Sequence, residues 1–317
     1  MTPLHHRNTA RDMVFGVGIT LFLFAGAMVM PLIGLVGMFL LPLPILVCRL
    51  RLGQTKGAAV AALSFAAMAA TLGGGSLDLF VFLALLVLGF VLGESFERNY
   101  SLEKTMLVAC GALTIGSLLA LLFYSHSAGI GIADLISAYV HQNMVLYEEA
   151  LGQIGAAPET RQALTASIEL VESGMLRALP GIAVSGILFT AWVTLLLARP
   201  VLRRTDLPCP NFGSLTHWRT PETFVWILIG CGLLVLMPVG GLKLIGLNGL
   251  LVMLQVYFFQ GIAIVSFFFE KKRVPLLARW ILYPLLTLQV FLLVLVIGLG
   301  IFDMWLNVRK IESNPGD

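Results

Sequence analysis

The chain has 317 residues, of which 58% are hydrophobic and 12% are charged, and its mean hydropathy is +0.94. This composition excludes a soluble globular domain and indicates an integral membrane protein. The formal net charge of +3 is too small for a nucleic-acid-binding surface, and no stretch concentrates enough Lys and Arg, so no nucleic-acid partner is expected.

The apolar residues form runs of about 17 to 25, the length with which an α-helix crosses a hydrocarbon core of about 30 Å. Backbone amides in lipid must be paired within their own segment, so we predict an all-α fold, a polytopic integral membrane helical bundle. The nine candidate spans are residues 13–30, 33–47, 58–72, 78–92, 105–124, 182–197, 223–239, 244–269 and 280–302. Because the first two spans also allow one broken helix around Pro31, eight spans are the alternative.

Orientation follows from the short loops in which Lys and Arg collect. Cations occur in "HHRNTAR" before the first span, "CRLRLGQTK" after the second, "RPVLRRTDL" after the sixth and "EKKRVPLLAR" after the eighth. All four stretches lie on one side if the N-terminus is cytoplasmic, which predicts a multi-pass protein of the bacterial cytoplasmic (inner) membrane. Nine spans then place Arg309 and Lys310 outside, against the charge rule, and this keeps the eight-span count open.

The third span is rich in alanine. Ala58, Ala62, Ala66 and Ala70 recur every four residues and share one helix face. Small residues let helices approach closely in lipid, where packing drives association. This face either packs against another span of the same chain or docks to a separate membrane subunit.

The large extramembrane segment 125–179 carries mainly acidic charges and is predicted on the outer face. Apolar residues recur at helical spacing before and after "GAAPET", where Pro158 is a typical helix start. We therefore predict an extracytoplasmic amphipathic helical hairpin, which serves either as a structural connector or as a lid over a binding site. At the outer end of the fifth span, Tyr124 and His126 are candidate ligand contacts, although an ordinary interfacial role also explains His126.

The eighth span contains three amides. Asn248 and Gln255 are seven residues apart and lie within about 20° of each other on the helix, whereas Gln260 is rotated by about 140° from Gln255. The three side chains either contact a ligand or hold neighbouring helices together, since interhelical hydrogen bonds contribute about 0.6 to 2 kcal/mol in membranes.

Catalytic and coupling motifs are not found. The sequence lacks GxSxG, HExxH, a Walker A loop and paired His and carboxylates, so no enzyme, ATP site, metal or cofactor is expected. Cys48, Cys110, Cys209 and Cys231 lie far apart in the sequence with no CxxC or Cys/His spacing, so neither a zinc site nor a disulfide framework is indicated. Asp78, Glu94 and Asp303 lie only at span ends, which speaks against an autonomous pump.

Several motifs in one order resemble a known family. A Pro-ended first helix (Pro31), a Pro-x-Pro second helix (Pro42 and Pro44), an Arg and Gly turn (Arg51 and Gly53) and the alanine-rich helix after it resemble the YybS-like family of bacterial membrane proteins. The resemblance continues at "HWRTPETFVW", "LNGLLVMLQVYFFQGIAI" and "IGLGIFDMWLNVRK", and so runs from roughly residue 10 to 310.

The first six spans of that family are similar to the S components of energy-coupling factor (ECF) vitamin transporters. The resemblance implies a six-helix bundle in residues 1–200, including the outer hairpin 125–179, then a cytoplasmic linker 201–222 and C-terminal transmembrane helices in 223–317. It also implies a small-molecule ligand and, as partners, a membrane coupling subunit with ATPases. In S components the docking face is usually on the first helix, whereas here the small residues are on the third span.

From the residues and the resemblance together, we predict a small-molecule-binding or uptake subunit without its own ATPase. Its ligand contacts would be Asn248, Gln255, Gln260, Tyr124 and His126, and its docking face the four alanines. The alternative is a membrane scaffold that assembles with other envelope proteins and moves nothing.

Overall fold

A computed structural model describes residues 9–29, 31–72, 77–153, 158–306 and 308–309. Every regular element among these residues is helical, and none is a strand. The helices are α1 (Thr9–Val29), α2 (Pro31–Leu40), α3 (Pro42–Leu52), α4 (Gln54–Leu72), α5 (Leu77–Glu97), α6 (Leu102–Ala128), α7 (Ile132–Gln153), α8 (Pro158–Arg204), α9 (Thr223–Leu236), α10 (Gly240–Lys271), α11 (Leu276–Leu288) and α12 (Val290–Leu306), with a 3₁₀ turn at Leu215–His217.

Six of the described helices are long and apolar enough to cross a membrane, and the bent pair α11 and α12 makes a seventh if it is one span. The all-α multi-pass fold class is thereby confirmed, but the count of eight or nine spans is not. The second predicted span is divided between α2 and α3 at Leu41, and the seventh is the 14-residue helix α9. The ninth is divided between α11 and α12, which are bent by 96°.

Apolar side chains remain exposed along these helices. Phe22 on α1 is 78% exposed, Leu107 on α6 is 74% exposed and Trp226 on α9 is 72% exposed. A water-soluble surface rarely keeps so many large apolar groups, whereas lipid tails solvate them well. The exposed surface therefore agrees with a protein that contacts lipid along its helices.

The predicted outer hairpin corresponds to α7 and the first part of α8. Leu135 and Val140 of α7 are buried, and the Tyr139 hydroxyl donates to Asp78 Oδ1 at 2.7 Å, which fixes α7 to the start of α5. The second arm does not end before the sixth span, because α8 continues unbroken for 47 residues. The hairpin is therefore not confirmed. The helical spacing that predicted it included Asn143 and Leu146 before "GAAPET" and Leu164, Ile168 and Val171 after it, and these side chains lie outside the described ones.

The chain forms two compact units. The first contains residues 1–176 and 186–211, and the second contains 177–185 and 212–317. In the first unit, α3 packs against both α4 and α5. Its core is apolar, with Leu41, Ile45, Val60, Met68 and Phe82 at 0 or 1% exposure.

A buried cation lies at one end of the first unit. Arg49 of α3 is 2% exposed and donates through Nη2 to Glu97 Oε2 at 2.6 Å and to Glu94, both on α5. Two glycines make room for it. A Cβ at Gly57 would lie 2.8 Å from Arg49 Cα, and one at Gly93 would lie 2.8 Å from Arg49 Cγ. Larger residues at either position would push α4 or α5 away from the arginine.

In the second unit, α10 is the central helix and packs against α9 and α12. The crossing of α10 and α12 is close because both helices have glycine there. A Cβ at Gly261 would lie 2.0 Å from the Val296 carbonyl, and one at Gly300 would lie 2.1 Å from the Tyr257 carbonyl. The backbones meet at this point, as small residues permit in membrane helices.

We predict that Arg49→Met destabilises the first unit. The change keeps an apolar stem but leaves Glu94 and Glu97 without their buried cation, which should cost about 1 to 3 kcal/mol of unfolding free energy. Thermal unfolding in detergent measures the effect. Arg98→Met is the matched control, because Arg98 also binds Glu94 but is 58% exposed and should matter less. Equal losses for the two variants would contradict the prediction.

Candidate functional site

Polar side chains of the second unit gather where the segment 214–222 and the end of α12 meet α10. We call this group the polar centre and define it as Arg219, Thr220, Gln260, Asp303 and Arg309. Three members are almost fully buried, with Asp303 at 0%, Gln260 at 2% and Arg309 at 3% exposure. Buried ionisable groups in membrane proteins are costly and often mark functional sites.

An ion pair lies at the middle of the polar centre. Arg309 Nη2 donates to Asp303 Oδ2 at 2.7 Å, and Arg219 Nε is 3.8 Å from the same oxygen. Arg309 Nη1 also donates to the carbonyls of Thr216 and Trp218, at 2.7 and 3.0 Å. One guanidinium therefore joins the end of α12 to the segment before α9. Burial lowers the pKa of Arg309 from its ordinary value, whereas the Asp303 carboxylate opposes that shift.

Gln260 holds the same segment against α10. Its Oε1 accepts a hydrogen bond from the Thr220 backbone N–H at 3.2 Å. Thr220 precedes Pro221 and the start of α9, so this N–H has no helical partner of its own. The amide thus replaces a missing backbone acceptor inside the bundle.

Several buried polar atoms near this site have no hydrogen-bond partner among the described residues. They are Asp303 Oδ1, Arg309 Nε, Thr220 Oγ1 and the Tyr257 hydroxyl. Tyr257 is 1% exposed and lies on the α10 face that contacts Gly300. An unsatisfied buried polar group costs about 1 to 3 kcal/mol, so a water or a ligand that pairs with these atoms gains that free energy.

Asn248 does not have a free amide. Its Oδ1 accepts from the Gly181 N–H at 2.5 Å, and its Nδ2 donates to the carbonyls of Arg177 and Leu244 at 2.9 and 2.8 Å. Gly181 allows this approach, since a Cβ there would lie 2.9 Å from Asn248 atoms. Of the two interpretations of this residue, the contacts correspond to the one in which the amide holds helices together.

Gln255 differs from the other two amides. Its Nε2 is buried and has no hydrogen-bond partner among the described residues. The structure thus divides the three predicted residues into two that bond to neighbouring backbone and one whose amide nitrogen remains available.

Tyr124 and His126 lie on α6 in the first unit and the three amides lie on α10 in the second. The Tyr124 ring packs edge-on against Phe80 at 5.5 Å between centroids, and His126 is exposed near the end of α6. All four alanines of the predicted docking face, Ala58, Ala62, Ala66 and Ala70, are exposed. The buried face of α4 is instead formed by Gly57, Val60, Ser64 and Met68.

Comparisons with known proteins place the chain in a family. Residues 18–304 match the family described as "Predicted membrane protein (DUF2232)". The chain belongs to the DUF2232 family. It is also 26% identical over 289 residues to "Uncharacterized protein YybS" of Bacillus subtilis (strain 168), a match that covers 88% of this chain and 90% of that protein. The resemblance to the YybS-like family is confirmed. No solved structure matches the chain, so the similarity to S components stays a prediction.

Sequence reasoning missed the main ionic partners of this DUF2232 protein. It placed Glu94 and Asp303 at span ends and named no partner for either, whereas the structure pairs them with Arg49 and Arg309. A signal was present, because Asp303 and Arg49 each interrupt a strongly apolar run, and such residues usually have a partner. The identity of each partner depends on which helices meet, and spacing alone does not supply it.

We predict that two leucine substitutions on α10 differ in their effect on the unfolding free energy. Asn248→Leu removes three hydrogen bonds to backbone and should lower the unfolding free energy by about 1 to 2 kcal/mol. Gln255→Leu removes a buried amide nitrogen that has no partner among the described residues and should leave stability unchanged or raise it. Thermal unfolding of both variants in one detergent measures the difference. A Gln255→Leu protein as unstable as Asn248→Leu would show that both amides hold the fold.

Proposed function

We propose that this protein is a small-molecule-binding subunit of an uptake system in the bacterial inner membrane. It would resemble an ECF transporter S component, with a cytoplasmic N-terminus and no ATPase of its own. The observation that carries the proposal is that several buried polar atoms of the second unit have no hydrogen-bond partner among the described residues. Tyr257 Oη and Gln255 Nε2 are the two that belong to side chains of α10.

Folding alone gives no reason to keep such groups. Phe in place of Tyr257 would fill nearly the same volume without a buried hydroxyl, and an apolar residue in place of Gln255 would avoid a buried amide. A polar ligand that hydrogen-bonds to the Tyr257 hydroxyl supplies a reason for that group, whereas Gln255 lies about 200° away around α10 and would need a separate polar contact. The ligand class we propose is therefore a small polar molecule, bound between helices of the membrane region as is typical of transport proteins.

Energy for uptake would come from other subunits. The sequence contains no Walker A loop, so a membrane coupling subunit and ATPases are the proposed partners. The exposed alanine face of α4 supports a docking role for that helix, because small residues allow a second membrane helix to approach closely.

The experiment is mass spectrometry of small molecules that co-purify with the protein in mild detergent. We expect a stoichiometric metabolite with the wild type. Tyr257→Phe should retain about two- to twelvefold less of it, the effect of losing one hydrogen bond of about 0.5 to 1.5 kcal/mol. Its thermal stability without ligand should be unchanged or higher, because the hydroxyl has no hydrogen-bond partner in the part of the chain that the structure describes.

Tyr283→Phe is the matched control. The Tyr283 hydroxyl is 2.8 Å from Ser266 Oγ, so its loss should lower stability without changing the amount of metabolite per folded protein. The absence of any metabolite from the wild type, or equal retention by the wild type and Tyr257→Phe, would contradict the proposed binding site.

The second candidate function is a membrane scaffold that assembles with envelope proteins, and the same exposed alanine face favours it. We expect Ala62→Leu combined with Ala66→Leu to reduce co-purification of protein partners, since larger side chains keep helices apart. Ala112→Leu, at an exposed alanine of α6, is the control and should have no effect. Capture of an ATPase and a coupling subunit favours uptake, whereas large envelope proteins without a metabolite favour the scaffold.

A further inference from the structure

We infer that α11 and α12 form a re-entrant segment, which enters the membrane and returns to the side from which it started without crossing. All residues that carry this inference lie in the second unit. It is independent of the proposed function, because it concerns the path of the chain and not the ligand.

The beginning of α11 is fixed to the end of α10. Arg279 donates through Nε to the Val274 carbonyl at 2.9 Å and through Nη2 to the Phe269 carbonyl at 3.1 Å. One turn later the Tyr283 hydroxyl meets Ser266 Oγ at 2.8 Å. The first half of the segment therefore starts at the side where α10 ends in the cations Lys271, Lys272 and Arg273.

The end of the segment reaches the same place. The Thr216 carbonyl accepts from Arg309 at 2.7 Å, and the Thr216 hydroxyl is 3.4 Å from Glu270 Oε2, near the C-terminal end of α10. Thr216 thus contacts a residue before α11 and a residue after α12. The next residue, His217, packs its ring against Phe267 of α10 at 5.4 Å between centroids, which places this segment along the last turns of that helix.

The contacts of Thr216 distinguish a segment that crosses the membrane from one that returns to the side where it began. A crossing segment would place Arg309 about 30 Å away from Glu270, the thickness of the hydrocarbon core. Arg309 and Glu270 each contact Thr216 with the end of their own side chain. Their backbones are therefore separated by no more than these two side chains and the threonine between them. The helices also fail to form one straight span, because α11 and α12 are bent by 96°, and α11 alone, with 13 residues, is about 20 Å long.

The charge distribution agrees with this path. A segment that crosses would carry Arg309 to the side opposite Lys271, Lys272 and Arg273, against the tendency of Lys and Arg to share one side. A re-entrant segment keeps all of these cations together. The Asp303–Arg309 ion pair then fastens the end of α12 to the segment 214–222.

Cysteine accessibility in intact cells and in inverted vesicles tests the inference. Three proteins are made in a background whose four native cysteines are replaced by alanine. Each carries one cysteine: the substitution Lys243→Cys, the substitution Lys272→Cys, or a cysteine added after Asp317. Lys243 and Lys272 are exposed and lie about 44 Å apart along α10, so they mark the two sides of the membrane. The reagent is a charged maleimide that does not cross the bilayer.

We expect the cysteine after Asp317 to be labelled from the same side as Lys272→Cys. Labelling from the side of Lys243→Cys would overturn the inference. A second measurement needs no cysteine replacement: alkaline phosphatase or green fluorescent protein is fused after residue 272, in a chain truncated there, and after Asp317 in the full chain. The same reporter should be active at both fusion points, and opposite reporters would overturn the inference as well.

Discussion

The ion pair between Asp303 and Arg309 is the interaction on which the end of the second unit depends. Two charges removed from water lose several kcal/mol of hydration each, and their mutual attraction offsets this only when the remaining donors and acceptors are also satisfied. Arg309 meets part of that requirement by donating to the carbonyls of Thr216 and Trp218. The pair therefore connects α12, the segment before α9 and, through Gln260, the central helix α10.

The first unit satisfies a similar constraint with different residues. Arg49 is held between Glu94 and Glu97, and Gly57 and Gly93 let two helices pass beside its backbone and stem. In the second unit, Gly261 and Gly300 let α10 and α12 meet near Asp303. In both units a charged side chain lies beside a glycine-mediated helix crossing. The close packing of the helices at these glycines keeps lipid away from the charged side chain. The ion pair in turn fixes how far one helix can slide along the other.

The sequence was sufficient for the parts of the structure that depend on composition and on the length of apolar runs. These features predicted the helical membrane fold, and the ordered motifs predicted the family. Helix ends were harder, because the breaks at Leu41 and Gln289 occur within runs long enough for one span, so the length of an apolar run does not reveal them. The partners of Asn248 could not be predicted, since Gly181 is 67 residues away and ordinary in its local sequence.

The three amides of α10 show how far a pattern on one helix can be interpreted. Helical spacing placed Asn248 and Gln255 on one face and Gln260 on another, but spacing does not indicate whether an amide meets backbone or ligand. Asn248 and Gln260 each replace or complement backbone hydrogen bonds of a neighbouring segment, and this role is sufficient to keep an amide in lipid. Gln255 Nε2 has no such role among the described residues. Folding therefore explains two of the amides, and the third is the one for which a ligand contact is still a proposal.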